Sequence, residues 1–390
     1  MQYQKLHVKH RISITAIATV SPLGSTREII RKAYTSHALT MQRQCFGEKE
    51  YWVAPLPEEE QKRLDQLRHS DAKYKNLDPT VIMALDVSRR VVAQAGWQAG
   101  DAIGINIGSS RGATHLLEQY HHEFITTGST ATLSSPTTTL GNVSSWVAHD
   151  LKSAGPEISH SITCSTALHA VLNAVAWLES GMADQFIAGG SEAPLTAFTL
   201  AQMNAIKIYS RETDGFPCRA MDLNKIRNTM VLGEGAGVVA LERDNPNAIA
   251  YITGVGFATD NLEHTISISE DAVCFQKSMK MALGDLPLSE VDAIVMHAPG
   301  TIKGDLSEYK AVQKVFGESM PLLTTNKWKI GHTFGSSGLL SIELAVLMLQ
   351  EQTFFGTPFS ESFTLNKPIK NVLVNAVGFG GNAVTLLISL

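Results

Sequence analysis

Cys164 lies in a Ser/Thr-rich turn, Ser161-Ile162-Thr163-Cys164-Ser165-Thr166, that feeds an apolar segment from Ala167 to Leu178. A cysteine at the first turn of a helix has free backbone N–H groups and the positive dipole end beside it, and both favour thiolate over thiol. That is the setting of an activated nucleophile. Of the 13 histidines, two stand at comparable points. His297 closes the apolar run Ala293-Ile294-Val295-Met296 and opens the turn Ala298-Pro299-Gly300-Thr301; strand ends are where α/β sheets bind ligands. His332 follows Lys327-Trp328-Lys329-Ile330-Gly331 at the mouth of a second apolar helix. A lone histidine is usually a satisfied surface or core group. Two at element ends, together with a helix-capping cysteine, point instead to nucleophilic chemistry at the thiol. His169, one helical turn beyond Cys164, is expected to pack or to support.

Cys45, Cys218 and Cys274 read as ordinary packed or half-exposed thiols, and no Cys-x-x-Cys pair suggests zinc or redox work. Gly233-Glu234-Gly235-Ala236-Gly237 has the glycine density of a phosphate loop but neither the following Lys-Ser/Thr nor the dinucleotide spacing. Gly378-Phe379-Gly380-Gly381 is a tight turn whose backbone N–H groups are suited to a developing oxyanion.

The elements that must position these residues alternate along the chain as strand-like runs and apolar helices, which is the pattern of an α/β protein. Strands are expected at Arg11 to Val20, Ala102 to Gly108, Gln185 to Gly189, Gly237 to Leu241, Ala250 to Gly256, Ala293 to His297, Asn371 to Val377 and Val384 to Leu390. Helices are expected at Thr26 to Ser36, Asp78 to Ala95, Ser165 to Ser180, Ser269 to Leu283, Leu306 to Phe316 and Gly338 to Gln350. The polar stretch Arg243 to Asn247 separates two similar halves, each with a Ser/Thr/Gly turn feeding an apolar helix and a late glycine cluster, so an internal duplication is expected. Residues 1–245 form the half with the cysteine and 246–390 the half with both histidines. Leu168, Val171, Leu172, Val175, Ala176 and Leu178 surround the first helix, which should be buried on all sides. Packed against its counterpart between sheets, it would bring Cys164 and His332 together.

With 390 residues, 44% hydrophobic, the chain can bury a large core. Its 32 basic and 37 acidic side chains, net charge −5, argue against nucleic acid. No run reaches the length of a membrane span, and the start, Met1 to Leu6, lacks a signal-peptide core; a cytoplasmic protein is expected.

Taken together, these motifs resemble the β-ketoacyl synthases of type II fatty acid and polyketide pathways, within the thiolase-fold superfamily. The resemblance covers nearly the whole chain: Val20-Ser21-Pro22-Leu23-Gly24, Gly104 to Ser109, Thr163-Cys164-Ser165-Thr166, Ala188 to Glu192, Arg219-Ala220-Met221-Asp222, Val231 to Gly237, Lys327 with Gly331-His332, and Gly378 to Gly381. It implies a duplicated, layered α-β-α-β-α fold with two mixed sheets and central buried helices. Cys164 would be the acylated nucleophile, and His297 and His332 would hold the malonyl thioester. Lys327 would support His332, and Glu308 would stand behind His297. The N–H groups of Cys164 and Phe379 would form the oxyanion hole, and the Phe379 ring would gate the acyl pocket. No resident cofactor or metal is implied, because phosphopantetheine arrives on an acyl carrier protein.

Some positions depart from that pattern. Ala298-Pro299 replaces the usual Gly-Thr, leaving Thr301 for the pantetheine arm; Ser341 stands where a glutamate is usual; the threonine after the last glycines is missing before Asn382. These point to a specialised branch, such as the aryl-polyene synthases. A thiolase would need a second cysteine near Phe379, and a coenzyme A-dependent initiating synthase an asparagine where His332 stands. The remaining alternative is a non-catalytic chain-length partner in a heterodimer, which typically lacks the nucleophile that Cys164 supplies. A dimer is expected, homomeric or with a related subunit, with Gln185 to Gly189 at its interface. Lys73, Lys75 and Arg219 are candidates for docking the acidic carrier.

Overall fold

The computed structural model describes residues 10–36, 38–140, 142–213, 215–261, 268–360 and 367–390; the Met1 to Leu6 start lies outside them. In chain order the strands are β1 (Ile12–Val20), β2 (Gln42–Phe46), β3 (Lys49–Ala54), β4 (Ile103–Gly108), β5 (Glu157–Ile158), β6 (Gln185–Glu192), β7 (Leu232–Gly233), β8 (Gly235–Arg243), β9 (Ala250–Thr259), β10 (Ala293–Val295), β11 (Leu322–Thr324), β12 (Asn371–Val377) and β13 (Asn382–Ser389). The helices are α1 (Arg27–Thr35), α2 (Glu58–His69), α3 (Pro79–Ala95), α4 (Thr114–Thr127), α5 (Ser134–Thr138), α6 (Asn142–Leu151), α7 (Thr166–Glu179), α8 (Ala197–Ala205), α9 (Val273–Leu283), α10 (Ile302–Phe316), α11 (Lys327–Ile330) and α12 (Ser337–Glu351).

Local signals account for many boundaries. Asp78 caps α3 by accepting from the Thr80 N–H, Pro79 occupies its first turn, and Gly96 ends it with φ of 73°. Strand β4 is buried at every residue, as expected of a strand covered on both faces.

Ten strands form one mixed sheet in the order β11-β10-β12-β13-β9-β1-β8-β6-β4-β5. It is built from two equivalent halves. Outward from the centre, β1-β8-β6-β4-β5 matches β9-β13-β12-β10-β11, and the pairings in each half run antiparallel, antiparallel, parallel, parallel. The halves join where Ile12, Ser13 and Ile14 pair with Ile252, Tyr251 and Ala250. The polar turn at Asp244 and Asn245 therefore links two repeats within a continuous sheet.

Helices α7 and α12 occupy equivalent places in the repeats and pack on each other. Their leucines, valines and alanines share one core with residues of β1, β6, β8, β12 and β13. Each fully buried leucine contributes about 1.5–3 kcal/mol of burial. Helix α12 is buried along almost its whole length. Helix α7 differs from expectation: Ala176 is exposed and Leu172 and Trp177 are half-buried, so one of its faces reaches the surface. Strand β6 is also a correction. It lies between β8 and β4 inside the sheet, so its hydrogen-bonding edges are both satisfied and it offers no edge for a subunit interface.

Candidate active site

Each repeat reaches its central helix through a 3-10 turn, Thr163–Ser165 before α7 and Phe334–Ser336 before α12, and the two turns touch. Both open on a residue in the left-handed region, Thr163 at φ 46° and Phe334 at φ 42°. Side chains rarely adopt that conformation, and strain of this kind concentrates at functional sites. The first turn presents Cys164. The Gly378 to Gly381 turn presses against it so closely that a Cβ on Gly378 would stand 1.8 Å from Thr163 Oγ1 and 3.1 Å from the Cys164 nitrogen. Only glycine fits there.

His297 lies two residues beyond β10, which ends at Val295 rather than continuing to the histidine. The carboxylate of Glu308, on α10, accepts the backbone N–H groups of His297 (2.9 Å) and Ala298 (2.8 Å) and the Asn375 amide (3.1 Å). It therefore clamps the turn rather than the imidazole, and it holds Ala298 at a left-handed φ of 28°. Burial pushes the Glu308 carboxyl up to about 7 against these three donors. Asp305 does the same one turn earlier, accepting from the Gly300 N–H at 3.0 Å and pairing with the buried Lys225 at 2.7 Å.

His332 is 2% exposed and His297 4%. Their rings meet edge to face with centroids 5.2 Å apart. His332 Nδ1 accepts the Phe334 N–H (3.2 Å) and stands 2.9 Å from Ser337 Oγ, so in the neutral ring the proton is assigned to Nε2. His297 Nδ1 is buried with no partner. Loss of water, then the Lys327 charge, takes His332 down to about 3. Loss of water, then His332 and Lys327, takes His297 well below its ordinary value. Lys327 is itself buried, its Nζ donating to Ser341 Oγ at 3.2 Å, and desolvation lowers it to about 8. The glutamate expected behind it is replaced by a neutral hydroxyl.

Cys164, His297, His332, Phe334, Phe379 and Thr301 line one apolar cleft of about 430 Å³. Lys303 and Asn228 stand on the same wall as Thr301. Thr301 Oγ1 caps α10 by accepting the Gly304 N–H, and Phe379 is 39% exposed. The thiolate expectation is corrected. Burial, then the charge of Glu192, pushes the Cys164 thiol up to about 12, outweighing Lys327 and Arg111. The turn's N–H groups are a local effect; removal of most of the water around a buried sulfur is larger.

Of the other expected residues, Arg219 ion-pairs with Asp222 and lies over the Phe359 ring. Lys73 pairs with Asp71 and lines a separate surface groove with Trp146 and His149, and Lys75 is exposed; neither lines the cysteine cleft. His169 bonds the Ser165 carbonyl in the turn that leads into its own helix. Cys218 and Cys274 are buried and Cys45 is exposed.

Glu192 was missed as a working residue. Fully buried and pushed up to about 7 by desolvation, it accepts from Ser109 Oγ, the Ser110, Arg111 and Gly335 N–H groups, and so ties the end of β4 to the second 3-10 turn. An acidic residue closing the glycine-rich strand β6 was the only sequence signal. Lys303, at the start of α10 just after the altered Ala298-Pro299 turn, was likewise passed over.

The model for the Beta-ketoacyl synthase, N-terminal domain matches residues 9–247, and that for the Beta-ketoacyl synthase, C-terminal domain matches 249–358. The chain belongs to the β-ketoacyl synthase family. It is 27% identical to 3-oxoacyl-[acyl-carrier-protein] synthase 2 of Coxiella burnetii over 98% of this chain and 99% of that protein. It is 28% identical to nodulation protein E of Rhizobium meliloti over 71% of this chain and 70% of that one. Among solved structures, the ishigamide ketosynthase/chain length factor superposes with TM-score 0.87 at 19% identity, covering 97% and 99% of the two chains. A β-ketoacyl synthase from Burkholderia phymatum gives 0.83 at 21% identity, also covering 97% and 99%. The fold is thus that of the family's ketosynthases, and the duplicated mixed sheet around α7 and α12 is its layered core. Among the described residues of this synthase homologue, no helix is long and apolar enough to cross a membrane.

Proposed function

We propose that the chain performs a decarboxylative Claisen condensation. The carrying observation is that one apolar cleft is lined by a single cysteine and two buried imidazoles, whose burial favours the neutral form. In the first half-reaction the Cys164 sulfur attacks the carbonyl of an acyl carrier thioester; the carrier thiol leaves with the proton the cysteine gives up. In the second, malonyl carrier protein loses carbon dioxide and its electron pair moves onto the thioester oxygen. His297 and His332 donate N–H groups to that enolate oxygen. The enolate carbon attacks the acyl-Cys164 carbonyl. The resulting oxyanion is received by the N–H groups of Cys164 and Phe379, and collapse expels the Cys164 thiolate, which takes a proton from solvent. The product is a 3-oxoacyl carrier thioester, and the steps balance without a resident cofactor.

In this reading Lys327 positions the histidine pair electrostatically, Glu308 positions His297 through the backbone, and Thr301 meets the pantetheine arm. The Phe379 ring, on the cleft wall yet partly exposed, gates the acyl pocket. Arg219, with Lys73 and Lys75 on another part of the surface, contributes to carrier docking. The pathway is fatty acid or polyketide-type, including an aryl-polyene branch. The partners are an acyl carrier protein and a second synthase chain, the same or related.

A second reading is favoured by one observation. The buried Lys327 ammonium meets the neutral hydroxyl of Ser341 where the family usually has a glutamate, which suits a chain-length-determining subunit whose partner makes the bond. A ketosynthase from Xenorhabdus doucetiae is known in complex with its chain length factor, at TM-score 0.76 and 20% identity to this chain, over 99% and 100% of the two chains.

Intact-protein mass after mixing with a panel of acyl carrier thioesters separates the readings. An adduct that requires Cys164 and is discharged as a 3-oxoacyl product on malonyl addition supports condensation. No adduct with any thioester, with Cys164→Ala as control, supports the partner subunit.

A further inference from the structure

Arg111 follows β4 on the loop that Glu192 holds, and its guanidinium is only partly satisfied. Nη2 donates to Gln202 Oε1 on α8, while Nε is buried without a partner. Among the described residues it forms no ion pair. The carboxylate nearest in sequence contact, Glu192, is already taken by four other donors, one of them Arg111's own backbone N–H. A half-buried cation with an unused donor and no counter-charge is costly to fold around, and such groups in native proteins call for an explanation.

The guanidinium stands one side chain behind the cleft wall. Its Cζ lies 5.8 Å from the centroid of the Phe334 ring, and that ring lines the cleft 5.5 Å from the His332 ring. Met203, beside Gln202 on α8, lines the same wall with Ile208 and Met230. The wall on the α8 side of Cys164 is therefore apolar at its surface, with one arginine immediately behind an aromatic ring. Phe334 is also the strained residue of its turn.

We infer that Arg111 reads the far end of the acyl group: the chain carried by Cys164 bears an oxygen at its distal end that accepts a hydrogen bond from the Arg111 Nε–H when the Phe334 ring turns aside. This rests on the condensing-enzyme reading and names its substrate class. An unsubstituted alkyl tail leaves the Arg111 donor unpaired, whereas a distal ketone satisfies it inside the cleft. A hydrogen bond to a charged group in such a setting discriminates by roughly tenfold or more.

The test is the rate of Cys164 acylation, by intact mass, with octanoyl and 7-oxooctanoyl carrier thioesters of equal length. The ratio of the two is read within each protein, so a general loss of activity does not move it. The unmodified protein should favour the oxygenated chain by roughly tenfold. Arg111→Met should bring the ratio to about unity, and Arg111→Lys, which keeps a donor and charge, to an intermediate value. A preference for octanoyl in the unmodified protein, or an unchanged ratio in Arg111→Met, overturns the inference. Should Arg111→Met not fold, the unmodified protein and Arg111→Lys decide it. If both thioesters acylate Cys164 equally in the unmodified protein, only the inference falls; if no thioester acylates it, the condensing reading falls too.

Discussion

The ring of His332 meets that of His297 at 5.2 Å and 79°, and each is driven toward the neutral state by burial. Two imidazolium ions could not share that space. Two neutral rings can, and each still has an N–H to give. The consequence is a site whose donors do not switch off in mild acid.

Decarboxylation of malonyl carrier protein should therefore stay flat as pH falls through 6.5, the ordinary histidine value. Replacing either histidine with Ala should lower it by roughly 10²–10³-fold while acylation of Cys164 remains measurable. The stability linkage has a definite sign. The unfolded chain protonates His332 near 6.5 and the folded chain only near about 3, so its contribution is complete above 6.5 and is lost as pH falls between those values. Urea titrations at about pH 7 and pH 5 should show His332→Gln losing less stability than the unmodified protein.

Iodoacetamide should label Cys45 first. It is exposed on β2, whereas Cys164 is enclosed and its thiol is pushed up to about 12. Peptide mapping after brief exposure near pH 7 checks this; a faster reaction at Cys164 would show that the cleft activates the sulfur without substrate.

Lys303 stands exposed at the cleft wall beside Thr301. A phosphopantetheine arm passing Thr301 would bring its phosphodiester within that lysine's reach. Lys303→Glu should raise KM for carrier-borne thioesters by roughly tenfold and make it more sensitive to salt. With N-acetylcysteamine thioesters, which carry no phosphate, KM should be unaffected. Steady-state kinetics on both substrate types decide the point.

Much of this was legible in residue order. Asn371–Val377 is a strand at its expected bounds, and the two Ser/Thr/Gly turns do feed the two central helices. Apolar runs with turn residues at both ends are local signals. The hairpin Gln42–Phe46 with Lys49–Ala54 was not seen, because its first strand is almost wholly exposed and has no alternating apolar face. Helix α4 escaped for a similar reason, since only Thr114 of its fourteen residues is buried. At the site, the cysteine and histidines were visible by type and place. The roles of Glu192 and Arg111, and the direction in which Cys164 is pushed, depend on what folds over them from distant segments.

The two repeats meet at their turns, and superposing the turns sets Cys164 of the first opposite Gly335 of the second. A side chain at 335 is barred: its Cβ would stand 2.6 Å from the Ser110 nitrogen and 2.7 Å from the Glu192 carboxylate. The symmetric scaffold is thereby made single-sited. The position that could have carried a second acyl anchor is filled by the carboxylate that braces the first, so in the proposed reaction each chain would take one acyl load per turnover, and a count above one per assembly would report the number of chains.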